Sequence, residues 1–214
     1  MTDVSITESW GALPAGARAA LEEQWAGLAA GGLACGSAVV DAAGTVIARG
    51  RNHVYDEPRA GSVLQRTRIA HAELNALAGV HTDLDWSALT LFTTQHPCAM
   101  CAAALAFTGA GRVVYVADDP SDDSSAQQVA ATRGAVTYQR LGSVEWAIVA
   151  TVLFLYVGAE QRGEGDANLR AASAANPALG ALVLAEASEG RLSRAARSGI
   201  PLHEAVAPLW DLFA

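Results

Sequence analysis

The chain has 214 residues, 51% of them hydrophobic, enough to bury the core of one domain or of one domain with a substantial extension. All 14 basic residues are arginine against 22 acidic ones, a formal net charge of −8, which excludes a broad basic face for gripping nucleic acid and makes nucleic acid an unexpected partner. Three cysteines cannot close a disulfide set, no basic-then-apolar leader is present, and the longest apolar run, Trp146–Ala159, falls short of the roughly 20 residues of a membrane span; a cytoplasmic chain without a membrane segment is expected.

Residues 12–30 carry Leu13, Ala17, Leu21, Trp25 and Leu28 near helical spacing, and Gly31-Gly32 ends the helix they predict. The β-like runs Gly36–Asp41 and Thr45–Gly50, joined by Ala42-Ala43-Gly44, predict a hairpin. Residues 51–68 lack periodicity and contain Pro58, Gly61 and the arginines 51, 59, 66 and 68, which predicts a long solvated loop. A helix is expected over His71–Val80, a buried strand over Ala88–Thr94, and a helix opened by Pro97 and running to about Thr108. A strand at Arg112–Ala117, a polar loop at Asp118–Ser125, a short helix around 126–132 and a strand at 135–141 follow. This alternation implies a layered α/β sandwich with a mixed sheet. From Gly142 the chain is rich in alanine and leucine and is broken at Gly163-Glu164-Gly165, Asn176-Pro177, Gly190 and Gly199-Ile200-Pro201, which predicts helices and no further strands. The expected organisation is an N-terminal helix in 1–32, a core in 33–141 and a helical extension in 142–214 packed on that core. Trp86, Trp146, Phe154 and Tyr156 read as packing residues.

Two short motifs carry chemistry. His71-Ala72-Glu73 opens one predicted helix, and Pro97-Cys98-Ala99-Met100-Cys101 opens another. Together they offer one imidazole and two thiolates to a tetrahedral Zn2+, leaving the fourth position for water, which is the arrangement of a catalytic rather than a structural zinc. Two helix N-termini aimed at the metal favour the thiolate forms. Glu73, two residues from the imidazole, is placed to carry protons and is not needed as a ligand. Replacing an aromatic amine by a carbonyl needs such a pair, an activated water and a proton carrier. Cys35 on a predicted strand reads as a small buried apolar residue, and His53, His81 and His203 have no motif around them.

At these residues the chain resembles the cytidine deaminase-like superfamily. Thr94-Gln95-His96-Pro97-Cys98-Ala99-Met100-Cys101 is most similar to the branch of guanine deaminases, fungal cytosine deaminases and tRNA adenosine deaminases, which reads Pro-Cys-x-Met-Cys as here. The resemblance spans about residues 33–141. It implies a three-layer α/β/α sandwich around a five-stranded mixed sheet, with an all-helical C-terminal extension here, zinc on His71, Cys98 and Cys101, and Glu73 as proton shuttle. It also implies substrate contacts at Asn52, which by itself is an ordinary turn residue, and at the backbone amide of Ala72. An acid near the end of the fourth strand, Asp118 or Asp119, is used by some relatives, and Asp118 is taken as the candidate. His96 departs from the glutamate or small polar residue common at its position and is a further candidate contact. The loop 53–68 is longer than in compact relatives, and 142–214 has no matching counterpart. The implied function is hydrolytic deamination of a small free base or nucleoside by a homodimer; the alternatives are a tRNA adenosine deaminase and a non-catalytic scaffold of the same fold.

Overall fold

The computed structural model describes residues 4–57, 64–120, 136–210 and 212. The predicted helix around 126–132 and Arg59 lie outside them. The chain starts with α1 (Ile6–Ala12) and α2 (Ala15–Ala29), where a single helix over 12–30 was expected. Pro14 makes the break. It has no N–H to give, and it holds Leu13 in an extended conformation (φ −64°, ψ 143°). α1 is closed by a capping box in which Ser5 and Glu8 exchange hydrogen bonds.

The hairpin strands are β1 (Gly36–Val40) and β2 (Val46–Arg51). The Asp41 carboxylate accepts from the Ala43 and Thr45 amides and so shapes the turn between them. α3 (Ala72–Ala78), β3 (Thr90–Gln95), α4 (Ala99–Thr108), β4 (Arg112–Ala117) and β5 (Thr137–Arg140) follow. The five strands are ordered β2-β1-β3-β4-β5, with the first three antiparallel and β3, β4 and β5 parallel.

Side chains alternate across this sheet, and each face has its own helices. Val39, Leu91 and Val113 pack with Ala76, Leu77 and Leu105 of α3 and α4. Val40, Phe92 and Val114 pack with Ala17, Leu21 and Trp25 of α2 and with the first C-terminal helix. The result is a three-layer α/β/α sandwich. Two glycines set the layer spacing: a Cβ on Gly36 would lie 2.1 Å from the Ala20 oxygen of α2, and one on Gly50 would lie 2.3 Å from the Ala76 nitrogen of α3.

Beyond β5 come α5 (Val144–Arg162), α6 (Ala167–Ala175), α7 (Pro177–Glu189), α8 (Arg191–Arg197), α9 (Leu202–Ala205) and α10 (Ala207–Trp210). By length and composition α5 could cross a membrane, which the apolar run alone did not suggest, but 67% of its apolar window is buried inside the protein. It is the core helix between the sheet and the outer helices. Trp146, Leu153, Leu155 and Tyr156 are buried along it. Polar tips of aromatic residues tie the ends of the chain to this layer: Trp146 Nε1 donates to Ser9 Oγ (3.0 Å), Trp25 Nε1 to the Ile200 oxygen (2.8 Å) and Trp210 Nε1 to the Val4 oxygen (3.2 Å). One continuous hydrophobic cluster therefore runs from Leu13 to Trp210.

Candidate zinc active site

Two helix starts meet at the end of the central strands. His71 is the N-cap of α3 and Cys98 the N-cap of α4, with Cys101 in the first turn of α4. The close approach at Gly50 brings α3 onto β2 and carries His71 and Glu73 to the same end of the sheet as the two cysteines.

His71 Nδ1 lies 3.6 Å from Cys98 Sγ and 3.6 Å from Cys101 Sγ, and the two sulfurs are 3.7 Å apart. A tetrahedral zinc with Zn–S of about 2.3 Å and Zn–N of about 2.0 Å requires N···S edges of about 3.6 Å and an S···S edge of about 3.8 Å. The three atoms thus form one face of a zinc tetrahedron before any metal is added, and the residues fit the ion. Among the described residues they are the group of this kind that could hold a metal. Cys98 Sγ shares hydrogen bonds with Cys101 and the His71 ring, which hold its pKa well below the usual thiol range. The same hydrogen bond to Cys98, with burial, retains the Cys101 proton and pushes that thiol up. Binding a divalent ion displaces such a proton.

Glu73 is buried, 6% exposed, and burial raises its pKa above the usual carboxylate range. Thr93 Oγ1 donates to its Oε1 (3.3 Å) and itself accepts from Ser37 Oγ (2.9 Å). Its Oε2 sits 3.4 Å from Cys101 Sγ. The carboxylate is therefore beside the metal ligands and held from behind by two strands.

A cavity of about 220 Å³ opens in front of these groups. Asn52, His71, Ala72, Glu73 and Cys98 line its metal side. Asn52 is 3% exposed, and its Oδ1 accepts from the Val54 amide (3.0 Å), which leaves its NH2 to the cavity. His96 also lines the cavity; its ring stands edge-on to Tyr115 at 4.7 Å and tilted against Tyr138 at 5.7 Å. Asp118 does not line it. Its side chain is 65% exposed and pairs with Arg140, while the next residue, Asp119, takes the place in the cavity wall. Cys35 lines the cavity without joining the metal group, and burial pushes its thiol up.

Two of the four arginines of the loop pair with acids inside it. Arg51 pairs with Asp56, which also lies 3.1 Å from His53, and Arg66 pairs with Glu57. Asn75, which no motif marked, ties the loop down: its Nδ2 donates to the Arg51 oxygen (3.1 Å) and its Oδ1 accepts from the Leu64 amide (3.1 Å). Gln95, Phe154 and Asn168 also line the cavity, the last two from the C-terminal helices. Phe154 read as packing and Asn168 carried no signal, because both come from helices outside the motif-bearing part of the chain.

Residues 15–117 match the family model for the cytidine and deoxycytidylate deaminase zinc-binding region. A cytosine deaminase of Candida albicans is 30% identical over 101 residues, 46% of this chain and 62% of that protein; the chain thus spans about three fifths of that relative's length. A guanine deaminase structure from Nitrosomonas europaea is similar at TM-score 0.54 and 26% identity, covering 69% of this chain and 85% of that one. A structure from a study of A-to-I editing by tRNA A34 deaminases matches at TM-score 0.47 and 26% identity, over 57% of this chain and 94% of that one. With the His-x-Glu and Pro-Cys-x-Met-Cys motifs meeting on this five-stranded sheet, the chain has the fold of the cytidine deaminase-like superfamily and, over residues 15–117, matches its zinc-binding region.

Proposed function

We propose that the chain is a zinc-dependent aminohydrolase that replaces the amine of a small aminated heterocycle, a free nucleobase or a nucleoside, by a carbonyl with release of ammonia. The observation that carries this reading is a buried carboxylate beside a three-donor zinc face that borders a cavity. His71, Cys98 and Cys101 would hold the zinc, which when bound lowers the pKa of a water to roughly 7 and so provides a nucleophile at neutral pH. Glu73 would take one proton from the attacking water and give it to the ring nitrogen, then take the second, from the hydroxyl so added to the ring carbon, and give it to the amine as the C–N bond breaks and the carbonyl forms. Its raised pKa suits both directions of transfer. Asn52 and the Ala72 amide orient the ring so that the carbon bearing the amine faces the water.

Charge narrows the substrate. No arginine lines the cavity among the described residues, the chain has no lysine, and Glu73 and Asp119 face the space. Nothing there neutralises a phosphate, which favours a base or nucleoside over a nucleotide. The volume equals that of about seven waters at ~30 Å³ each, room for one ring system. A net charge of −8 argues against tRNA, and an intact Glu73 argues against a scaffold.

The test is ammonia release from purified zinc-loaded protein given cytosine, guanine, adenine and their ribonucleosides, with metal analysis alongside. About one zinc per chain and turnover of at least one of these compounds are expected. A chain that binds no zinc, or that holds it with a fourth protein ligand, would sink the reading.

A further inference from the structure

The metal side of the cavity lies within residues 15–117, which the family model covers, but two of its wall residues lie well beyond them. Phe154 sits on α5 and Asn168 on the first turn of α6. We infer that this corner of the C-terminal extension is the specificity wall of the site: Phe154 packs on the face of the substrate ring, and the Asn168 carboxamide hydrogen-bonds a polar group of the ring other than the amine that is lost. The inference rests on the deaminase reading above and adds to it the feature that tells one aminated ring from another.

Three observations support it. The first is composition: to the cavity lining this corner adds an aromatic ring and a half-buried carboxamide that makes no side-chain hydrogen bond among the described residues, the pair needed to accept an uncharged planar ring. The second is that α5 is fixed against the site. The Ala150 oxygen, one turn before Phe154, accepts from Gln95 Nε2 at 3.0 Å, and Gln95 lies two residues from the Pro97-Cys98 start of α4. The third is that the α5–α6 corner is built to hold Asn168 still. Asp166 caps α6 by accepting from the Leu169 amide (2.9 Å), accepts from Arg162 Nε (3.0 Å), and is pressed so closely on α5 that a Cβ at Gly158 would lie 2.6 Å from its Oδ2. The backbone that carries Asn168 is held this way, so a ring bound there has only the side-chain rotamer left to order.

A site that hydrogen-bonds a substrate group discriminates against the ring that lacks it, because a buried polar partner is then stranded. The test uses the full-length zinc-loaded protein and two ring pairs that share the amine and differ in a carbonyl: cytosine against 4-aminopyrimidine, and guanine against 2-aminopurine. Dissociation constants are measured by calorimetry in a Glu73→Gln background, so binding is read without turnover. The ratio of constants within at least one pair should shrink about tenfold in Asn168→Ala, with zinc content and melting temperature unchanged. Phe154→Leu should weaken every ring that binds and leave the ratios alone. If the Glu73→Gln protein binds rings and Asn168→Ala changes neither constants nor ratios, the wall is refuted and the deaminase reading stands. If it binds none of the four, the wall as stated is refuted, and the deaminase reading is decided separately by ammonia release from the full panel of bases and ribonucleosides. Should Phe154→Leu fail to fold, the half-buried Asn168 variant decides.

Discussion

The two sides of the cavity are made in different ways. The metal side consists of two helix starts, each compact in sequence, in which the candidate ligands His71, Cys98 and Cys101 and the carboxylate Glu73 lie within a few residues of a helix N-terminus. The far side consists of Phe154 and Asn168, from two helices that also bury the central cluster of the protein. Chemistry is thus local in sequence, whereas the shape of the space in front of it is shared with the fold's own stability. A change on the metal side should abolish reaction while leaving the fold, and a change on the far side should disturb fold and selectivity together.

The strongest way to break that contrast is to remove the far side. Truncation after Leu141 strips Trp146, Leu153, Leu155 and Tyr156 from the cluster. Each large buried side chain is worth about 2–5 kcal/mol against a total stability of about 5–15 kcal/mol. The fragment is expected to lose its cooperative unfolding transition in circular dichroism; a fragment that melts cooperatively and binds zinc would show that the extension is separable from the site.

On the metal side, Glu73→Gln should keep zinc and the melting temperature while turnover falls about 10²–10⁴-fold. Steady-state ammonia release and metal analysis on the same preparation check it, and a variant with most of its activity intact would remove Glu73 from the shuttle role.

Gly50→Ala sharpens the contrast, because it acts on the fold of the metal side alone. Its Cβ would meet the backbone of α3 at 2.3 Å, so α3 must shift and carry His71 with it. A loss of about 1–3 kcal/mol is expected, read as a fall of several degrees in melting temperature, with weaker zinc binding in a chelator competition. Unchanged zinc affinity would mean that α3 tolerates the shift without moving its ligand.

The smallest effect belongs to the corner that holds Asn168. Burial alone would raise the Asp166 pKa, but the Leu169 amide and Arg162 outweigh it and hold the carboxyl below its usual value. A depressed folded-state pKa contributes stability that is present above the unfolded value, about 3.9, and is lost as pH falls through the folded one. Asp166→Asn keeps the cap but loses the charge paired with Arg162, so it should cost up to about 1 kcal/mol near neutral pH, and the difference from the parent should narrow below about pH 4. Denaturant midpoints at the two pH values measure it; a gap that widens on acidification would reverse the assignment.

The sequence alone determined much of this protein. The spacing in His71-Ala72-Glu73 and Pro97-Cys98-x-x-Cys101 is set by helix geometry over a single turn, so ligand type, number and the neighbouring carboxylate are legible without knowing how the helices pack. The alternation of strands and helices up to Arg140 and the helical character beyond it follow from periodicity and from glycine and proline punctuation. Pro14, which splits the first predicted helix, was present in the sequence and overruled by the apolar spacing around it. Other features had no local signal. Asp118 and Asp119 are adjacent acids at the end of a strand, and which one faces the cavity depends on how the chain leaves the sheet and on Arg140 being near enough to pair with Asp118. Asn75 is a polar residue in an ordinary helical position until the Arg51 oxygen and Leu64 amide are brought to it. Phe154 in an apolar helix is indistinguishable by pattern from the core residues around it. Only the packing of α5 across the sheet, and of α6 against α5, decides that one face of that helix ends at the cavity and brings Asn168 beside it. Motifs encode what a turn of backbone can hold together, while the wall opposite them joins segments distant in the chain, a meeting that the buried apolar cluster alone fixes.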